Sequence, residues 1–226
     1  HEFKIINKHI KNISKFWIKA QKNIIFHNNL NPIYNIFKTH SANIALDKNQ
    51  FTTSKLTNGC IYIVRDPRDI AVSFAGHRGK TINDTIDFMS KIESYLLPSH
   101  NRTLTLVTAW DTHYKSWMKL KVPILLIKYE DLLKNTEIEI KKIVEFLNKL
   151  LNIDKQDLNN KLYNISISTN LKKFIDHEKR FGFSEATQYR PFFKKNDYNW
   201  KKNLSIKQIN TIENFFKNTM QELNYI

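Results

Sequence analysis

Residues 60 to 75 read Cys60-Ile61-Tyr62-Ile63-Val64-Arg65-Asp66-Pro67-Arg68-Asp69-Ile70-Ala71-Val72-Ser73-Phe74-Ala75, and their order sets the fold class. Cys60 to Val64 is an unbroken apolar run, the composition of a strand buried on both faces of a parallel sheet. Arg65 ends the run and Asp66-Pro67 turns the chain. Asp66 is placed to cap the next helix, and Pro67 suits a first helical position, where a missing N–H costs nothing. Ile70, Ala71, Phe74 and Ala75 then recur at helical spacing. Arg65 is therefore expected at the carboxyl end of a strand, with Ser73 about two turns into the following helix. In open α/β sheets that edge is where ligands bind. An arginine fork fits a phosphate bidentately and a serine hydroxyl adds a further bond. The same Arg65 can equally pair with Asp66 or Asp69 at the surface.

Working outward, Val122 to Tyr129 is the second strong strand, followed by Glu130-Asp131, with Asp131 placed to cap a helix over Leu132 to Leu150. A short strand over Ile33 to Phe37 is expected to run into Lys38-Thr39-His40. On extended chain Lys38 and His40 point to one side. His is suited to taking a proton from a nucleophile near neutral pH, and Lys to countering charge on a transferring group. An amphipathic helix is expected over His1 to Phe26, and a polar connection over Ser41 to Asn58. A helix capped by Asn83 should run through Lys91 with Ile86, Met89 and Ile92 on its face. Another spans Thr103 to Lys119, carrying Leu106, Trp110, Tyr114 and Trp117 as a core stripe. Gln156 to Asn164, Leu171 to Arg180 and Ser205 to Leu223 read as further helices, and Ser166 to Asn170 as a polar loop. His100 and His113 could contact an acceptor. Strands alternating with helices make the chain α/β: a parallel sheet in three layers with helices on both faces.

Composition narrows the function. Hydrophobic residues at 41% and aromatics at 12% of 226 residues argue for a well-buried core and against disorder. No stretch approaches the length of a membrane span. Cys60 is the one cysteine, so it forms no internal disulfide, and its apolar surroundings make it core packing. A cytoplasmic location is expected. The net charge of +15 points to anionic partners. No basic block with interleaved aromatics occurs, which argues against nucleic acid.

Arg65, a turn with proline, a basic residue, an aspartate and then Ser73 eight positions on resembles the segment that holds the nucleotide 3′-phosphate in PAPS-dependent sulfotransferases. Lys38-Thr39-His40, about 25 residues earlier, resembles that family's Lys-Thr-His, and Val122 to Asp131 resembles its strand ending in Tyr-Glu-Asp. Arg190 to Asn203 resembles its late Arg-Lys-Gly loop and following Trp-Lys. Lys194 there replaces the Arg, Lys195 is kept, Asn196 stands for the Gly, and the loop is one residue shorter. The resemblance implies His40 as general base, Lys38 on the sulfuryl group, and Arg65, Ser73, Lys194 and Lys195 on the 3′-phosphate. It implies Tyr129 near the adenine, with Ser166, or alternatively Ser168, as the hydroxyl beside it. Lys for Arg gives charge without the fork.

The family also carries an early strand and a Lys/Ser/Gly/Thr loop for the 5′-phosphosulfate, and none of Gly59, Gly76, Gly79 and Gly182 opens such a loop. The expectation is one sulfotransferase domain over residues 1–226, P-loop-like but short of that first strand and loop, and inactive alone. Its partners are PAPS and a small-molecule hydroxyl or amine acceptor, with no metal required. A P-loop-type nucleotide kinase and a non-catalytic basic nucleic-acid or anion binder are the alternatives.

Overall fold

The apolar spacing at the N-terminus folds as helix α1 (Glu2–Asn28). The computed structural model describes residues 2–28, 35–98, 103–152, 158–189, 191–193 and 199–226. Residues 35–44 have no regular structure, so the strand expected up to Phe37 is not formed there; Ile36 and Phe37 stand exposed, and among the described residues no strand pairs with them. Ile33 and Tyr34 lie outside the described residues. The polar connection beyond is more ordered than expected. Strands β1 (Ala45–Leu46) and β2 (Asn49–Gln50) pair antiparallel about Asp47-Lys48, and Asp47 takes a φ of 52°, which a short polar side chain tolerates.

Strand β3 (Cys60–Val64) forms as expected, then helix α2 (Pro67–Arg78), with Asp66 Oδ1 accepting from the Arg68 N–H at its start. Helix α3 (Ile82–Ser90) is capped by Thr81, not Asn83. The Thr81 hydroxyl accepts from the Asp84 N–H while the Asp84 carboxylate accepts from the Thr81 N–H, and that reciprocal pairing wins the cap. Asn83 instead accepts from the Gln208 amide, and Ile92, beyond the helix end, is exposed.

Strands β4 (Tyr95–Leu96) and β5 (Thr105–Leu106) pair antiparallel, so helix α4 (Trp110–Met118) covers only the second half of the span expected to be helical. Thr-Leu-Thr-Leu-Val at 103–107 alternates and is rich in β-branched residues, which favours a strand, and Thr108 at φ 56° breaks the chain before the helix. Tyr114 and Trp117 are buried as expected. His100 lies outside the described residues.

Strand β6 (Ile124–Lys128) lies beside β3. The Cys60 N–H donates to Pro123 O at 3.0 Å, so both strands start side by side and run parallel. Val64 and Ile127 are fully buried, whereas Ile63 and Leu126, on the opposite face of each strand, are 54% and 37% exposed. Burial on both faces therefore does not hold at those two positions. Burial pushes the Cys60 thiol up to about 11, in keeping with a packing role.

Helix α5 (Tyr129–Lys134) begins two residues before Asp131, which therefore sits in its first turn rather than capping it. The chain breaks at Asn135 and continues as α6 (Thr136–Leu151). Helix α7 (Leu158–Ser168) runs four residues past its expected end, turning Ser166 and Ser168 from loop into helix, and α8 (Leu171–Phe181), α9 (Trp200–Asn203) and α10 (Ile206–Glu222) complete the order. The result is an α/β chain with a parallel sheet, as expected.

Two compact units divide the contacts. His1–Tyr62 with Ile92–Leu125 packs around Ile10, Leu104 and Leu106, with Trp17 against them. Ile63–Lys91 with Leu126–Ile226 buries Ala71, Ala75, Ile86, Met89, Ile212, Phe216 and Met220.

Candidate functional site

The carboxyl ends of the two parallel strands bring two of the expected residues together. Arg65 follows β3 and Tyr129 follows β6, and the Arg65 guanidinium lies over the Tyr129 ring, 4.6 Å from its centroid. A cation held on a ring face keeps its charge while its edge donors stay oriented. Both side chains are half-buried. Ser73 is half-buried on α2, two turns on.

The turn between β3 and α2 carries a buried charge network. Arg68, the second arginine of Arg-Asp-Pro-Arg, is buried. Its guanidinium donates to both Asp66 oxygens, to Glu213 at 2.6 Å and to Tyr225 O at 2.9 Å, and it stacks on Trp200 with 4.1 Å to the ring. Desolvation works against its charge, and the two carboxylates overcome that and hold it protonated. The Asp66 N–H donates to Glu130, which also accepts from the Tyr225 hydroxyl. The two arginines thus differ in setting: Arg68 is buried and holds the turn, and Arg65 is half-buried over the Tyr129 ring. Neither spacing nor composition separated those roles.

Lys194 and Lys195 lie outside the described residues, but both flanks of their segment are fixed. The Glu178 carboxylate accepts from the Phe192 and Phe193 N–H groups at 2.6 and 2.8 Å. Phe193 stacks on Phe174, and Phe183 packs against both Phe192 and Phe193. On the far side the Trp200 N–H donates to Asp69 at 3.0 Å, in the first turn of α2. Burial raises the Asp69 pKa, while that N–H and Arg65 pull it down. Residues 193 and 200 are therefore tied to α8 and to the turn after β3. Ser166 is exposed, and its hydroxyl donates one turn back to Tyr163 O; it is not brought to Arg65 and Tyr129 by any contact of its own. Ser168 likewise donates to Ile165 O.

In the other unit Lys38 and His40 stand exposed within the irregular segment 35–44. What fixes the segment is one face of α4 together with β5. The Trp117 indole donates to Ser41 O at 3.0 Å, the Asn43 N–H donates to the Ser116 hydroxyl at 2.9 Å, and His113 Nε2 lies 3.3 Å from His40 O. The Ala42 N–H donates to Leu106 O. Four consecutive residues are thus held by backbone groups, which leaves the His40 imidazole at the surface. Sequence reading singled out His40 and Lys38 but not this support, because a core stripe and a polar clamp share the helix; only the i, i+3, i+4 spacing of His113, Ser116 and Trp117 hinted at it. Glu178 was also missed, being an acidic residue within a basic chain that carries no motif, and Asp69 and Glu130 were read within their motifs but not as the acceptors of the Trp200 and Asp66 N–H groups.

Comparison with known proteins places the chain in a family. The model of the sulfotransferase domain matches residues 4–224. Among curated proteins, sulfotransferase 1B1 of Canis lupus familiaris is 35% identical over 134 residues, covering 56% of this chain and 42% of that protein. Sulfotransferase 2A1 of Macaca fascicularis is 25% identical over 193 residues, covering 83% of this chain and 64% of its own length. A crystal structure of mouse sulfotransferase SULT7A1 complexed with PAP aligns at a TM-score of 0.49 and 23% identity over 71% of this chain and 58% of that one. The chain spans roughly two fifths to two thirds of the length of these proteins. With the family match running over nearly every residue, the chain belongs to the sulfotransferase domain family.

Proposed function

We propose that this protein transfers a sulfuryl group from PAPS to a hydroxyl or amine acceptor, leaving adenosine 3′,5′-bisphosphate, and that residues 1–226 form one cytoplasmic sulfotransferase domain. Among the described residues no helix is long and apolar enough to cross a membrane. The observation that carries the reading is Arg65 over Tyr129 at the carboxyl ends of adjacent parallel strands, in a chain of this family. A guanidinium fork beside a ring face suits a ligand that pairs a phosphate with an aromatic base.

In this reading Arg65 and Ser73 hold the 3′-phosphate together with Lys194 and Lys195, and Tyr129, with Ser166 as the weaker candidate, flanks the adenine. His40 accepts the acceptor's proton, and the imidazolium so formed lies in the segment that α4 and β5 fix. Lys38, two residues before, counters negative charge on the group in transit. PAPS supplies that group when bound. The residues contribute positioning and electrostatic stabilisation.

Incubating the product of the full reading frame with labelled PAPS and panels of phenols, sugars, amines and lipids tests this. Label should pass to one acceptor class, and adenosine 3′,5′-bisphosphate should bind more tightly than 5′-AMP. No transfer to any panel, together with equal binding of the two nucleotides, overturns the reading.

A further inference from the structure

The proton acceptor assigned to His40 is an exposed side chain on chain without regular structure. Where such a group sits depends on where its backbone is held, and a displacement of about 1 Å costs up to roughly 100-fold in rate. The backbone at 40–43 is fixed by α4 and β5, and the contact nearest the chemistry is the one from His113. That contact is chemically constrained. A carbonyl oxygen only accepts, so the 3.3 Å approach of His113 Nε2 to His40 O requires a proton on Nε2. The other ring nitrogen, Nδ1, lies 2.8 Å from the Tyr62 hydroxyl. In the neutral ring Nδ1 then carries a lone pair, and the phenol must donate to it. One tautomer satisfies both partners.

The surroundings keep that tautomer neutral. Burial lowers the His113 pKa to about 4, with the charge of His40 adding to the effect and the hydrogen bond to His40 O opposing it. Burial also raises the Tyr62 hydroxyl well above its ordinary value, so it stays a donor. The Tyr62 ring packs against the rings of both His113 and Tyr114, which fixes the phenol's direction.

Resting on the sulfotransferase reading, we propose that His113 is a positioning residue: held by Tyr62 as the Nε2–H tautomer, it anchors the His40 carbonyl and so aims the His40 imidazole. Two histidines beside each other thereby serve opposite ends. One is exposed and is assigned the acceptor's proton; the other is a fixed donor to the first one's backbone.

Two measurements test it. Nitrogen-15 imidazole spectra of the 226-residue chain should show His113 as the neutral Nε2–H form throughout pH 5 to 8. Tyr62→Phe should give a mixture of tautomers. An Nδ1–H form, or a His113 that titrates within that range, overturns the proposal whether or not the protein transfers sulfuryl groups. The second is kinetic, with the product of the full reading frame. His113→Leu should lower kcat roughly 10- to 100-fold at an unchanged KM for PAPS. His113→Gln, which retains an N–H at the same reach, should recover most of that loss. Wild-type kcat in the Leu variant overturns the positioning role. An inactive wild type removes the sulfotransferase reading, and with it the aiming role, while the spectra still decide the tautomer.

Discussion

Two side chains carry the residue-scale consequences. His40→Ala should lower turnover by about 10²–10⁴ while leaving nucleotide affinity nearly intact, because general-base loss acts on the proton and not on binding. Paired kcat and equilibrium nucleotide titrations check this, and a near-normal kcat would take His40 out of the mechanism. Arg65→Lys keeps the charge and loses the fork. It should weaken adenosine 3′,5′-bisphosphate by about 1–3 kcal/mol and 5′-AMP by much less. Calorimetry with both nucleotides measures it, and equal weakening places Arg65 away from the 3′-phosphate. At this scale the sequence was legible where a residue type has a stereotyped neighbour, as with Arg65 at a strand end or Asp66 before proline. It was silent where the partner is far along the chain. Nothing near Arg68 says that Glu213, 145 residues on, will hold it, so the buried arginine and the half-buried one looked alike.

Elements were legible in proportion to how much of their pattern is local. The apolar runs at 60–64 and 124–128 and the 3.6-residue stripe of α1 needed no distant information. The strand at Thr105-Leu106 did, because its β character comes from pairing with Tyr95-Leu96, whereas the run from 103 to 119 alone also fits a helix. Gly79 shows an element boundary set twice over. It closes α2 at φ 61°, and a Cβ there would lie 2.6 Å from the Tyr189 ring. Gly79→Ala should therefore cost about 1–3 kcal/mol. Adding Tyr189→Ala should relieve the contact and leave the backbone part, about 1 kcal/mol. Chemical denaturation of the three chains separates the two, and a double variant no more stable than Gly79→Ala would put the whole cost in the backbone.

For the molecule as a whole, the His113 pKa sets a pH dependence of stability. The unfolded chain takes up a proton near the ordinary 6.5, whereas the folded one resists until about 4. Between these values the unfolded state binds more protons, so stability is complete above about 6.5 and falls as pH drops toward 4, by at most about 3 kcal/mol. Denaturant midpoints from pH 4 to 7 should show the fall, and the His113→Gln chain should show less of it; parallel curves would mean that His113 does not resist protonation when folded. The Arg68 network has a consequence for biosynthesis. Its guanidinium needs the carbonyl of Tyr225, 157 residues downstream, and Glu130 needs the hydroxyl of the same tyrosine across 95 residues. A nascent chain holding the Arg-Asp-Pro-Arg turn can therefore bury that arginine with its full set of partners only after Tyr225 has been translated, since neither group exists before then. Ribosome-bound chains ending before residue 225 should leave this turn open to protease, and release of the full-length chain should close it.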